Sequence, residues 1–184
     1  FYFSGLGIGY MFFEIVLIQK FILFFGNPVY AAAMVICVML LASGAGSFFS
    51  SRRFPSRSLM QRILLFIFLI LLLYTFFLSS MVQQIAPLPE LFKLLISGSI
   101  IACPALLMGM PFPLGLRAQA LIEEKDVPWA WGINGCMSVI SAALATLLTV
   151  DAGFSVMILL AAIFYAMSMV SMRLIKAKIN KTSS

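Results

Sequence analysis

The chain has 184 residues, 63% of them apolar and only 10% charged, with no histidine and a formal net charge of +6. A soluble domain carries about 25% charged residues, so this chain cannot cover itself with a water-compatible surface, and its composition is that of an integral membrane protein. The missing imidazole excludes haem b sites, the common zinc sites and Ser-His-Asp triads.

A spanning helix needs about 20 mostly apolar residues, and six segments qualify: 1–25, 29–49, 63–82, 91–110, 129–150 and 154–172. The expected fold is an all-α polytopic membrane helix bundle, a single transmembrane domain with the lipid bilayer as its surroundings. Phe1 lies inside an apolar run with no initiator Met or charged leader, which reads as a fragment of a longer chain.

In the first span, Gly5-Leu6-Gly7-Ile8-Gly9 resembles a phosphate-binding glycine cluster, but no strand precedes it. Gly5 and Gly9 instead predict a close-packing helix face. Glu14 lies near the middle of the span, where an ionisable group costs several kcal/mol unless it finds a partner, water or a proton. Gly7, Tyr10 and Glu14 fall on one helix face. Two readings stay open for Glu14: a proton or substrate site, or interhelical glue bonded to Asn134 or a backbone carbonyl. Gln19 is a further intramembrane polar candidate. Lys20, about 240° around the helix from Glu14, is expected to snorkel outward.

Gly26-Asn27-Pro28 predicts a tight hairpin into the second span, and Asp151-Ala152-Gly153 another between the last two. Small residues recur at four-residue spacing in the second and fifth spans, as Ala42 with Gly46, Ser43 with Ser47, Gly132 with Cys136 and Ser138 with Ala142. Close approach in lipid is driven by packing rather than hydrophobicity, so these two spans, with the first, are expected at the centre. The third span, apolar on every side, is expected to face lipid. Cys37, Cys103 and Cys136 stand alone in apolar runs and read as small packing residues.

Pro111 and Pro113 should interrupt regular helix just past the fourth span. Residues 111–128 are therefore expected as a cytoplasmic loop with a short interfacial helix over Leu114 to Ile122. Trp129 and Trp131 suit the headgroup layer. The stretch is either a loop with an aromatic anchor or a docking or gating surface, with Arg117 and Asn134 as polar contacts.

With the N-terminus inside, the inner loops collect Arg52, Arg53, Arg57, Arg62, Arg117, Lys125, Arg173, Lys176, Lys178 and Lys181, against Lys93 alone in an outer loop. The positive-inside rule then places both termini in the cytoplasm and explains the basic charge without nucleic acid.

Several runs share one order and spacing: Gly9-Tyr10-Met11-Phe12-Phe13-Glu14, then Phe25-Gly26-Asn27-Pro28, Ser43-Gly44-Ala45-Gly46-Ser47, Met108-Gly109-Met110-Pro111-Phe112-Pro113 and Trp129-Ala130-Trp131-Gly132-Ile133-Asn134-Gly135. Together they resemble the C-terminal membrane region of bacterial spermidine-synthase-like membrane proteins over nearly the whole chain. The resemblance implies a bacterial inner-membrane location. It also implies an aminopropyltransferase-like, Rossmann-type domain ahead of this block, using S-adenosylmethionine or its decarboxylated form. The acidic residues that such domains use have no counterpart here, so the chain carries no catalytic constellation and no cofactor site. The family pattern has a histidine before the proline of the first turn, where this sequence has Asn27. The functional expectation is a membrane module that anchors, and feeds, a cytoplasmic transferase domain, fused or separate. The alternatives are a transporter of a small polyamine-like substrate and a structural subunit of a homo-oligomer or larger membrane complex.

Overall fold

The structure is a computed structural model that describes residues 1–52 and 55–182, with side chains as far as Met172. Arg53 and the side chains of Arg173, Lys176, Lys178 and Lys181, counted in the charge argument, lie outside the described residues. The described chain is helical throughout: α1 (Tyr2–Phe25), α2 (Pro28–Ser51), α3 (Arg57–Ile85), α4 (Glu90–Met108), α5 (Pro111–Ala120), a single 3-10 turn over Glu124–Asp126, α6 (Val127–Ala152) and α7 (Phe154–Thr182). Six stretches are long and apolar enough to cross a membrane, with α4 and α5 together making the fourth. This is the architecture of a multi-pass membrane protein, with both termini at the same end of the bundle.

The punctuation follows local chemistry. Gly26 closes α1 at φ 71°, a left-handed conformation that glycine adopts without cost, and its N–H donates to the Ile22 carbonyl. Asn27 then caps α2, its Oδ1 accepting from the N–H groups of Val29 and Tyr30 at 3.1 Å each. Helix α4 ends at Met108, and α5 starts on Pro111 rather than on the expected Leu114. A proline in the first helical turn gives up an N–H that has no partner there in any case.

Helix α1 is central, packed between α2, α6 and α7, while α3 lies mainly on α7 and α2 on α4. Phe13, Leu17 and Phe21 of α1 and Tyr165 of α7 are among the largest fully buried side chains. The glycine face of α1 forms as expected: Gly5 lies on Ser168 and the Phe164 carbonyl, and Gly9 on the Tyr165 ring. The small face of α2 also holds where Gly46 meets the backbone of Leu106, and Gly109 in turn meets the backbone of Ser43.

Three expectations are corrected. The third span does not face lipid all round, because Ile63, Leu64, Ile67, Leu71, Tyr74 and Leu78 form a buried stripe at helical spacing while Phe66, Leu69, Leu73, Phe76 and Phe77 point outward. Lipid and protein interior are equally apolar, so hydropathy does not separate the two faces of such a helix. The fifth span is peripheral rather than central: Ala130, Ser141, Ala145 and Thr149 are its buried residues, while Gly132 and Gly135 open onto empty space. All three cysteines are exposed on outward faces instead of packed.

Candidate functional site

Helices α2 and α6 both pack on α1 without packing substantially on each other. Between them lies a cavity of about 510 Å³, within the range of small-molecule sites. Its floor is the α1 face with Leu6, Gly7, Tyr10 and Met11. Leu40, Ser43, Gly44 and Ser47 form the α2 wall, and Trp131, Asn134 and Ser138 the α6 wall. Met108, Gly109, Phe112 and Pro113 come from the α4–α5 junction, and Tyr165 from α7. All these positions lie in the half of the bundle that carries both termini.

Short side chains on the facing walls leave room for the cavity, Ser43, Gly44 and Ser47 on α2 and Ser138 on α6. Gly7 lets α6 approach, its Cα facing the Asn134 carbonyl and the Ser138 hydroxyl, and Gly44 faces open space. Toward the termini an aromatic row crosses the end of the cavity. Phe3 meets Phe112 edge-to-face at 5.8 Å, and Phe112 meets Trp131 at 4.8 Å. Pro111 is held beneath it by the Tyr2 hydroxyl, which donates to the Pro111 carbonyl at 2.9 Å.

The polar groups of the lining have hydrogen-bonding capacity to spare. The Tyr10 hydroxyl and Ser43 Oγ are 3.4 Å apart, and Asn134 Nδ2 donates to the Phe3 carbonyl at 3.0 Å, leaving Asn134 Oδ1 without a described donor. The hydroxyls of Ser47 and Ser138 make no side-chain hydrogen bond within the described residues, and neither does that of Tyr165, only 1% exposed. No residue lining the cavity is charged.

The predicted site residues divide accordingly. Tyr10, Asn134, Pro113 and Trp131 come together at the cavity, with Pro111 supporting it. Glu14 stands one turn beyond Tyr10 on the same α1 face, half-buried, with no hydrogen bond or ion pair to a described residue. The bond to Asn134 that one reading of Glu14 allowed does not form, because Asn134 is engaged at Phe3, about 16 Å away along α1. Lys20 does not simply reach outward: Nζ donates to Ser79 Oγ at 2.6 Å and sits over the Phe154 ring, bridging α1 to α3 and α7. Asn27 is a helix cap, Gln19 is half-buried outside the cavity, and Trp129 is 73% exposed. Arg117 does not share a surface with Asn134; its Nη2 reaches the Ser50 carbonyl at the end of α2. Sequence reasoning missed Tyr165, and took Ser43, Ser47 and Ser138 for packing residues only. A tyrosine and serines at bilayer depth were the available signal.

Comparison with known proteins finds no family model that matches the chain, no similar curated protein and no similar solved structure.

Proposed function

We propose that the chain is the membrane module of a spermidine-synthase-like protein of the bacterial inner membrane, anchoring and feeding a cytoplasmic transferase-type domain. The observation that carries this reading is convergence. Four runs far apart in sequence, which carry the resemblance, supply Tyr10 and Met11, then Ser43, Gly44 and Ser47, then Met108, Gly109, Phe112 and Pro113, and finally Trp131 and Asn134 to one cavity. The cavity lies at the end of the bundle with both termini and with Arg52, Arg57, Arg62 and Arg117, the end expected in the cytoplasm. A site there stands where a cytoplasmic domain can exchange a small molecule with it.

Intact mass and peptide sequencing of the native protein from its source membrane test the proposal. A mass well above 20.3 kDa, with peptides from a nucleotide-binding domain, is the expected result, and a native mass near 20.3 kDa overturns a fused domain. A separate one then has to co-purify.

A second reading, transport, is favoured by Glu14, a carboxyl group in mid-span that no described residue pairs with. Proteoliposomes loaded with radiolabelled spermidine should show flux in the wild type and none in Glu14→Gln at an equal folded level. Equal flux in the two would end this reading.

A further inference from the structure

The cavity is mostly apolar with a few hydroxyl and amide groups, is uncharged, and lies between two helices that do not pack on each other. We infer that it is a bilayer-accessible site for the uncharged head of an amphiphile, a hydroxyl- or carbonyl-bearing lipid that enters from the membrane between α2 and α6. This inference stands on the cavity alone and holds whether or not a transferase domain precedes the chain.

Four observations carry it. First, the hydroxyls of Tyr165, Ser47 and Ser138 and the Oδ1 of Asn134 line the cavity with hydrogen-bonding capacity that no described residue uses. In a low-dielectric surrounding such groups take up a polar ligand or water. Tyr165 is the sharpest case, since it is 99% buried and its ring is fixed against Gly9 while its hydroxyl stays unpartnered.

Second, the lining has no charged side chain. An ionic head would have to leave water without a counter-ion, whereas hydroxyl and ester groups can be satisfied by the donors and acceptors present. Glu14, one turn further along the α1 face, lies outside the lining.

Third, the side opening lies between two helices that do not close on each other, and the outward-facing side chains flanking the lining on these helices are apolar, Leu40 and Leu41 on α2 and Ile133 and Val139 on α6. Acyl chains satisfy such side chains and water does not. Fourth, the row Phe3, Phe112, Trp131 crosses the end toward the termini. The lateral route is therefore the more open one.

Trp131 lines the cavity and Trp129 is the other tryptophan of the chain. The full chain carrying Trp129→Phe, reconstituted in dioleoylphosphatidylcholine vesicles, therefore reports on the site through Trp131 fluorescence alone. The probe is diacylglycerol with brominated acyl chains, and brominated phosphatidylcholine measures bulk lipid contact. The expected result is saturable quenching by diacylglycerol at a few mole per cent, against a shallow linear curve for phosphatidylcholine. Gly44→Phe fills the mouth from a position with no neighbour within 4 Å and should raise the half-quenching mole fraction at least five-fold. Tyr165→Phe removes a hydroxyl that bonds no described residue, so it preserves the fold and should raise that fraction about three-fold. A diacylglycerol curve as linear as that of phosphatidylcholine, or one that neither variant moves, overturns the site. Stronger saturable quenching by brominated phosphatidic acid or a brominated alkylamine overturns the uncharged head.

Discussion

On its α7 side, α1 is closed by contact. Gly5 and Gly9 admit Ser168 and the Tyr165 ring, Phe12 meets Phe164 edge-to-face at 5.7 Å, and Ser168 Oγ donates to the Tyr2 carbonyl at 3.1 Å. On the side between α2 and α6, Gly7, Tyr10 and Met11 floor a cavity and Glu14 stands without a described partner. One helix thus carries a face built for close approach and a face built to leave room. Glycine serves both, and only its neighbour tells which: Gly9 and Gly46 meet another element, whereas Gly44, Gly132 and Gly135 meet nothing within 4 Å.

The sharpest way to break this contrast is to add volume to each kind of glycine. Gly46→Leu drives a side chain into the Leu106 carbonyl, where backbone cannot yield as a side-chain tip can. The expected loss is about 3 kcal/mol, at the upper end for overpacking. Gly44→Leu, two residues earlier on the same helix, should change stability by less than about 0.5 kcal/mol. Unfolding measured by steric trapping in bicelles gives both values. Similar losses at the two positions would mean that the cavity side of α2 is as tightly packed as its α4 side.

A second contrast separates the faces of α3. Leu71 is fully buried and Leu73 is 55% exposed. Leu71→Ala should cost about 2 kcal/mol, because the cavity left behind forfeits contacts that lipid does not replace. Leu73→Ala should cost less than about 0.5 kcal/mol, since lipid fills the space. The same unfolding assay reads both, and equal values would return α3 to the all-round lipid exposure that its sequence suggests.

The pattern of these contrasts explains what the sequence made legible. Helix number, the two hairpin turns and the Gly5–Gly9 face rest on local rules: apolar length, the left-handed Gly26, the Asn27 cap and backbone approach. Which side of α3 is packed does not, because Leu69 and Leu71 are identical side chains and only the tertiary partner distinguishes them. The peripheral place of α6 was hidden for the same reason. A Gly132–Cys136 spacing looks alike whether a helix or lipid covers it. In the candidate site, Tyr10, Glu14 and Asn134 stood out as polar groups inside apolar runs. The serines did not, since a serine in a membrane helix commonly bonds its own preceding turn, as Ser99 does to the Leu95 carbonyl. That Ser47 and Ser138 instead share an empty space with Tyr165 depends on three helices being in place.

The smallest expected effect tests the polar side of the same comparison. Tyr74 and Tyr165 are both buried tyrosines in spanning helices, but Tyr74 donates to the Ile100 carbonyl at 2.6 Å, tying α3 to α4, and the Tyr165 hydroxyl has no described partner. Removing the hydroxyl of Tyr74 deletes a hydrogen bond, and Tyr74→Phe should lose about 1 kcal/mol, the order of a typical net bond in water and near the upper range of those measured in membranes. Tyr165→Phe deletes no bond within the protein and relieves an unpaired polar group, so its stability should match or slightly exceed that of the wild type. A loss as large as that of Tyr74→Phe would mean that the Tyr165 hydroxyl is bonded in the folded protein, and the cavity would then lose its most deeply buried open donor. An unchanged stability together with weakened quenching by brominated diacylglycerol would assign that hydroxyl to a ligand instead of to the fold.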